Sequence, residues 1–339
     1  MATMKEVAEE AGVSITTVSH VVNGTRYVSP ETTSKVEEAM DELGYRPNVV
    51  AQGLATKKTN SIGLLLSDIS NPFFSTLTRG VEDYASEKNY SLVVCNTEED
   101  PLQEKLYVEL LTQRMIDGML LTLNSPKANQ KLREVQVPFV LIDRLVSGLS
   151  GDAVLADNVK GAMRAINYLI NKGHHRIGII VGPKETTPGE ERLEGYRNAL
   201  YENDISVEDK LIQQAEFTIS GGAEACKNLL ELEDPPTAVF STNNTITIGA
   251  MEVIKEKGLK CPEGVSMMAF DDFDWMRISD PPLTTISHDP YEMGYKAAEM
   301  LFRKIENGAS ESTTNSQKIV RTDVELVKRE SVCPISATA

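Results

Sequence analysis

The chain has 339 residues, of which 41% are hydrophobic and 25% charged, and its formal net charge at pH 7 is −16. This composition is ordinary for a globular protein, and the length is enough for two or three domains. The acidic balance argues against a general nucleic-acid coat, and no apolar run approaches the ~18 residues of a membrane span.

The cysteines and the N-terminal residues predict a reducing compartment. The first ten residues lack the basic and apolar pattern of a signal peptide, so we expect a cytoplasmic protein without a membrane partner. The four cysteines are far apart and form no CxxC pair: Cys95, Cys226, Cys261 and Cys333. We therefore expect neither a disulfide framework nor a metal site, and we predict no cofactor.

Residues 5–23 have the pattern of two short helices that meet at a glycine. Gly12 ends the first helix, and Ser14 can cap a second helix that ends at Gly24. This arrangement is typical of a helix-turn-helix, although any small helical subdomain can show the same spacing. The second helix leaves an outward set of side chains that suits base edges and thymine methyls: Ile15, Thr16, Ser19 and His20.

A third predicted helix completes a head over residues 1–46. Ser29 is a good N-cap, Pro30 suits the first helical position, and Gly44 ends the helix after an apolar stripe that includes Leu43. Residues 1–60 contain six Lys or Arg and eight Asp or Glu. Contact with DNA must therefore come from local placement, and we expect a homodimer that doubles the phosphate contacts.

Residues 47–60 are predicted to be a hinge helix or linker. The stretch 48–56 can be helical, but Gly53 weakens it by roughly 1 kcal/mol relative to Ala. Leu54 is an unusual apolar tip for a linker. It is either a dimer contact or a wedge inserted between base steps in the minor groove.

From residue 61 onward, buried strand patterns alternate with amphipathic helices. Repeated β-α units predict an α/β body of two doubly wound parallel-sheet lobes, which follows the all-α head. We assign residues 61–158 and 290–318 to an N-terminal lobe. Residues 159–289 and 319–331 form a C-terminal lobe, and residues 332–339 form a frayed tail.

Polar and aromatic side chains follow the predicted strands at the edge where a cleft between two lobes would lie. Carboxylates, amides, Arg and aromatic rings together suit a neutral polyol, although single members can equally be helix caps. The candidate ligand-binding residues are Phe73, Phe74, Asp143, Arg144, Arg192, Phe217, Asn243, Asp271 and His288. The sequence shows no nucleophile or phosphate-loop motif after a strand, so we do not expect an enzyme.

The first 59 residues resemble the head of the lactose-repressor/galactose-repressor (LacI/GalR) family of bacterial regulators. The motifs SNPFF, FVLIDR, PTAVFSTNN and FDDFDW extend the resemblance along essentially the whole chain. The ribose-repressor and purine-repressor branch looks most similar. The resemblance implies a helix-turn-helix head joined to a two-lobed sensor of the type I periplasmic-binding-protein kind.

The resemblance also implies roles for individual residues. Thr16 and His20 would read major-groove bases, Thr17 and Ser19 would contact phosphates, and Leu54 would be a paired minor-groove wedge. Further expected DNA contacts are Asn23, Arg26 and Lys57. In the body, a sugar site would be lined by Phe73, Phe74, Asp143, Arg144, Asn243 and Asp271, with Phe217 and His288 as additional walls.

The chain departs from the family pattern at several positions. Gln52 and Ala55 replace basic residues of many relatives, which predicts weaker contacts with DNA. Thr186 stands where purine binders carry Arg, and Glu299 stands where binders of a phosphorylated carrier protein have Arg. Glu190 occupies the best position for a sugar-binding Arg, and Gln is usual at His288.

We therefore predict a cytoplasmic, nucleoid-associated, homodimeric repressor that binds a pseudo-palindromic double-stranded operator. A small sugar, ribose or a related monosaccharide, would act as the inducer. The alternatives within the family are a purine or nucleoside corepressor or a phosphorylated carrier protein. From other classes, a sugar-binding transport protein fits the body alone, and a dinucleotide-dependent enzyme lacks the required glycine-rich loop.

Overall fold

The computed structural model describes residues 2–24, 26–46, 58–124, 132, 137–307 and 317–335. The chain divides into two compact units, which are residues 1–61 with 115–117 and residues 62–114 with 118–339. The predicted all-α head followed by two α/β lobes is confirmed. No helix in the described ranges is both long and apolar enough to cross a membrane.

The head consists of three helices: α1 (Met4–Glu10), α2 (Ile15–Asn23) and α3 (Pro30–Glu42). The predicted cap Ser14 accepts the Thr17 N–H at 3.0 Å, and Ser29 likewise caps α3. Gly12 and Gly24 have φ of +64° and +59°, the left-handed region in which glycine carries no steric penalty. Both residues stop the preceding helix, as predicted.

One small core joins the three helices. Val7, Val18 and Val36 are fully buried at its centre, one from each helix. Leu43, which we expected in this core, is instead 37% exposed. The chain reverses at Gly44 so that the Tyr45 N–H bonds the Met40 carbonyl at 2.8 Å, and the Tyr45 ring covers the core in place of Leu43.

Strands and helices alternate in the chain beyond the head. The first part comprises β1 (Ser61–Leu66), α4 (Pro72–Glu87), β2 (Ser91–Asn96), α5 (Pro101–Gln113), β3 (Gly118–Leu121), β4 (Phe139–Ile142) and β5 (Ala153–Ala156). The second part comprises α6 (Asn158–Asn171), β6 (Ile177–Val181), α7 (Thr187–Glu202), β7 (Ile212–Gln214), α8 (Ile219–Leu230), β8 (Ala238–Ser241), α9 (Asn244–Glu256), β9 (Ser266–Phe270), α10 (Asp274–Ile278) and β10 (Thr284–Ser287). The chain closes with α11 (Pro290–Asn307), β11 (Ile319–Thr322) and β12 (Glu325–Val327).

The strands form two six-stranded sheets. The first has the order β11-β5-β4-β3-β1-β2, and the second has the order β12-β10-β9-β8-β6-β7. Ile62 lies opposite Gly118 in the first sheet, and Ile177 lies opposite Ala238 in the second, both in parallel register. Strand β12 pairs antiparallel with β10 at one edge of the second sheet. The central strands are buried on both faces, as expected for parallel sheets covered by helices.

Within the described residues, the two lobes are connected by three links: residue 157, residues 288–289 and residues 323–324. The third link corrects the sequence prediction, which placed all of 319–331 in the C-terminal lobe. Strand β11 pairs with β5 in the first sheet, and only β12 belongs to the second sheet. Two short elements, β5 and α10, were not predicted from the sequence.

Helices α4 and α11 pack closely on the first lobe. A Cβ atom at Gly80 would overlap the carbonyl oxygen of Tyr291, and one at Gly294 would overlap that of Leu77. The two glycines therefore let the helix backbones approach each other. Tyr291 also crosses between the helices, where its hydroxyl donates to Asp83 at 2.8 Å.

Candidate functional site

A cavity of about 230 Å³ lies between the two lobes at the carboxyl ends of the strands. This is where doubly wound sheets bind ligands. Eight of the nine candidate side chains line it, and His288 is the exception. The lining residues are Asp68, Asn71, Phe73, Phe74, Glu98, Glu99, Asp143, Arg144, Pro188, Arg192, Phe217, Thr218, Asn243 and Asp271.

Asp143 and Arg144 follow β4 in a sharp turn. Asp143 adopts φ +65°, and its side chain is almost fully buried. Arg144, equally buried, donates from Nη1 and Nη2 to the two carboxylate oxygens of Glu99 at 2.9 and 3.0 Å. Its guanidinium also lies 5.3 Å from the ring centroid of Phe217 in the second lobe. The bidentate pair fixes the plane of the guanidinium at the cavity wall.

Arg192 lies in the second turn of α7 and is held on three sides. Its Nε donates to the Asn158 side-chain carbonyl at 2.8 Å, and its Nη1 donates to the backbone carbonyl of Thr242. The guanidinium lies 3.7 Å above the ring centroid of Phe270, a cation–π contact. Burial lowers the pKa of Arg192, and the nearby Asp271 and Asp143 oppose that shift, so the group remains a fixed cation.

Both carboxylate oxygens of Asp271 accept hydrogen bonds from the second lobe and its link. Its Oδ1 accepts from His288 Nε2 at 2.9 Å, and its Oδ2 accepts from the Asn244 N–H at 3.2 Å. The Asn244 side chain in turn donates to Asn71 in the other lobe at 2.9 Å. Asp271 has φ +77°, so the turn after β9 aims its carboxylate into the cleft.

His288 corrects the prediction that it forms a wall of the site. Its side chain is only 1% exposed and lies behind Asp271, between the rings of Phe73 and Phe270 at centroid distances of 5.6 and 5.7 Å. The hydrogen bond joins the imidazole to the Asp271 carboxylate, and His288 itself is not among the residues that line the cavity. His288 therefore orients a lining carboxylate from within the second inter-lobe link.

Burial has different outcomes at the two buried aspartates. It raises the pKa of Asp143, and the charges of Arg144 and Arg192 only partly oppose it. Burial also raises the pKa of Asp271, but the hydrogen bond from His288 and the charge of Arg192 outweigh it, so the net pKa is lowered. Asp271 is consequently the firmly ionised hydrogen-bond acceptor at neutral pH.

Sequence reasoning missed six lining residues: Asp68, Asn71, Glu98, Glu99, Pro188 and Thr218. Glu98 and Glu99 lie two and three residues beyond the end of β2, so the search for polar residues at strand ends that found Asp143 would also have found them. Asn71 reads as a helix cap, and it does accept the Phe73 N–H at 3.0 Å. It has a second role, because it also bonds the other lobe through Asn244.

Two further contacts join the lobes beside the cavity. The Leu145 N–H donates to Thr187 Oγ1 at 2.7 Å. Arg321 on β11 pairs with Glu191 on α7, with Nη2 2.6 Å from Oε1 and Nη1 2.9 Å from Oε2. Each contact depends on the angle between the lobes, so both help to hold that angle in the described conformation.

The head presents the predicted DNA-contact residues in different environments. Thr16 and Arg26 are exposed, whereas Ser19 and His20 are half-buried. Thr17 bonds Ser14 at 2.8 Å between the two hydroxyl oxygens, so it supports the cap of α2.

Several other residues bear on a DNA-binding role for the head. Asn23 donates to Ser19 at 3.0 Å within α2. Tyr27 is 87% exposed beside Arg26 and was not predicted. Leu54, Lys57 and the hinge residues 47–57 lie outside the described residues.

Family models match both parts of the chain. The model for bacterial regulatory proteins of the lacI family matches residues 3–48, and the model for periplasmic binding proteins and the sugar binding domain of the LacI family matches residues 59–330. The chain belongs to the LacI family. The resemblance recognised in the sequence is thus confirmed.

Individual LacI-family proteins are similar over nearly the full length. A ribose operon repressor of Escherichia coli (strain K12) is 37% identical over 336 residues, which cover 98% of this chain and all of the relative. The structure of a Lac repressor dimer bound to operator and an anti-inducer has a TM-score of 0.85 and 28% identity, covering 98% of this chain and 99% of that chain. A LacI-family regulator from Enterococcus faecium with bound ribose has a TM-score of 0.69 and 30% identity, covering 81% of this chain and 100% of that chain.

Proposed function

We propose that this protein is a homodimeric transcriptional repressor whose binding to operator DNA is relieved by ribose or a closely related monosaccharide. Its LacI-family head and body, and the similarity to a ribose operon repressor, support a regulatory role. The observation that carries the sugar assignment is the cavity between the lobes. There, carboxylates, guanidiniums and phenyl rings converge on one small space.

The donor and acceptor pattern of the cavity suits a sugar. The ionised Asp271 accepts hydroxyl protons, and Arg192 and Arg144 donate to hydroxyl oxygens. Phe73 and Phe217 provide apolar faces for the C–H side of a sugar ring. The volume of about 230 Å³ is below the ~300–1,000 Å³ of pockets for drug-sized ligands, which favours a monosaccharide over a longer sugar.

A role in operator recognition rests on the head and on the family. The relative with a TM-score of 0.85 is a dimer on operator DNA, and its match extends over both units of this chain. The exposed Thr16 and Arg26 leave donors and acceptors at the surface of the helix-turn-helix. Exposed apolar side chains on the first lobe, Leu102 and Leu106 on one face of α5, provide surface for self-association.

Coupling between sugar and DNA would pass through the angle between the lobes. A ligand that bridges Arg144 in the first lobe and Asp271 in the second stabilises one angle relative to others. In the proposed dimer, that angle sets the separation of the two 47–60 segments and thus of the two heads. A differential affinity of about 1–3 kcal/mol is sufficient for such a switch.

Isothermal titration calorimetry with ribose tests the ligand assignment directly. We expect ribose to bind with one site per chain and a free purine base such as guanine not to bind. Thr186 supports the latter expectation, because its hydroxyl accepts the Gly189 N–H at 3.2 Å as the cap of α7. Binding of guanine without ribose would favour the purine alternative, and binding of neither would reject the sugar assignment.

A further inference from the structure

The cavity is richer in acidic than in basic groups. Five carboxylates line it, against the two guanidiniums of Arg144 and Arg192. The carboxylates belong to Asp68, Glu98, Glu99, Asp143 and Asp271. An incoming anion therefore meets an unfavourable potential, because field lines concentrate in a cleft lined by one sign of charge.

Both guanidiniums are already engaged with the protein. The two terminal nitrogens of Arg144 are bridged by Glu99, and a third nitrogen, Nε, is 3.5 Å from Asp143 Oδ2. Arg192 is tied to Asn158, to the Thr242 carbonyl and to the face of Phe270. Each guanidinium keeps single N–H donors that can bond a ligand hydroxyl. Neither offers a phosphate two parallel N–H donors whose positive charge is not already engaged by the protein.

Glu98 and Glu99 form an acidic pair at the mouth of the cavity. Both residues are exposed and adopt positive φ, +53° and +60°, so the turn after β2 holds two consecutive carboxylates at the rim. Glu99 is committed to Arg144 and also accepts from the Asn124 side chain. Glu98 has no hydrogen-bond or ion-pair partner in the described part of the chain. Its negative charge therefore acts on solvent and on any ligand that enters the cavity.

We propose that Glu98 and Glu99 make the effector site selective for an uncharged monosaccharide over the phosphate ester of the same sugar. The inference deepens the proposed function and rests on it. A phosphate ester carries roughly −1.5 to −2 charges at pH 7. It would meet the free Glu98 carboxylate and find Arg144 already neutralised by Glu99. An uncharged sugar does not experience this repulsion and uses the remaining donors of Arg144.

Parallel calorimetric titrations with ribose and ribose 5-phosphate test the proposal. For the unmodified protein we expect ribose to bind at least about 100-fold more tightly, since several like charges act in a partly desolvated cleft. Removing one charge by Glu98→Gln should reduce this preference by about fivefold. Glu256→Gln removes an exposed carboxylate near the end of α9 and should leave the preference unchanged.

The possible results of these titrations distinguish failure of the selectivity proposal from failure of the proposed function. Equal affinity for both ligands, or a preference that Glu98→Gln does not reduce, overturns the selectivity proposal while leaving the sugar assignment intact. Binding of neither ligand overturns the proposed function itself. Raising the salt concentration from about 0.05 to about 0.5 M should narrow the preference through screening, and a salt-independent preference contradicts the electrostatic cause.

Discussion

Replacement of Asp271 by Asn separates the role of the cavity carboxylate from that of the fold. Asn has nearly the same shape and tolerates the left-handed backbone that Asp271 adopts at φ +77°. The substitution removes the negative charge that accepts from His288 at 2.9 Å and from the Asn244 N–H at 3.2 Å. The carboxylate that lines the cavity is thereby converted into a neutral amide.

The expected loss follows from the strength of charged hydrogen bonds. Such bonds contribute about 1.5–3 kcal/mol each, and one bond to a ligand hydroxyl depends on the Asp271 charge. Since each 1.4 kcal/mol is a tenfold change, the Kd for ribose should rise by about 10- to 150-fold. Calorimetric titration measures this change, and circular dichroism verifies that the variant is folded.

The neighbouring Asp272 provides a matched control. Its two oxygens accept from Arg329 at 2.7 and 2.8 Å, and it does not line the cavity. Asp272→Asn should therefore lower the free energy of unfolding by about 1.5–3 kcal/mol while the Kd for ribose stays within about twofold. If both variants bind ribose as the parent does, or if both lose affinity equally, the assignment of Asp271 as a ligand contact is refuted.

Three further predictions address packing, DNA recognition and pH. Gly80→Ala should lower the free energy of unfolding by about 1–3 kcal/mol in urea denaturation, because its Cβ would overlap the backbone oxygen of Tyr291; unchanged stability would contradict the close packing. Thr16→Ala should weaken operator binding by about 1–3 kcal/mol, measured by fluorescence anisotropy, and leave the free energy of unfolding unchanged because Thr16 is exposed. Val18 is buried in the head, so Val18→Ala should instead lower the free energy of unfolding by about 1–3 kcal/mol. Burial lowers the pKa of His174 below its unfolded value of about 6.5, so the unfolded chain takes up the proton first. Stability should thus fall as pH drops below about 6.5, and His174→Gln, measured by urea denaturation at several pH values, should flatten that slope.

Local sequence signals predicted most of the architecture. The helix ends at Ser14, Ser29 and Gly12 depend on interactions with residues only a few positions away. The sequence therefore predicts them without knowledge of the tertiary structure. Strand β11 was assigned to the wrong lobe because its partner β5 is distant in sequence: the paired residues Val154 and Val320 are 166 positions apart. Pairing over such distances leaves no local trace.

For the candidate site, the sequence predicted its location at the strand ends but not the detailed contacts of its side chains. The strand-end rule places Asp143 and Asp271 at the cleft, because the ends of parallel strands meet at one edge. It cannot tell which side chains face the cleft. His288 follows β10 as expected, but its side chain is buried against Asp271 and does not line the cavity. The commitment of Arg144 to Glu99 likewise depends on two strands that are distant in sequence.

The most direct test of the proposed function is a titration of ribose into the protein bound to DNA. A duplex that the protein itself selects from random-sequence DNA serves as the operator, and fluorescence anisotropy reports its release. We predict that saturating ribose weakens operator binding by about 5- to 150-fold, the range of a coupling of about 1–3 kcal/mol. Operator affinity that stays unchanged or increases, in a protein that calorimetry shows to bind ribose, would contradict the proposal that the sugar is an inducer.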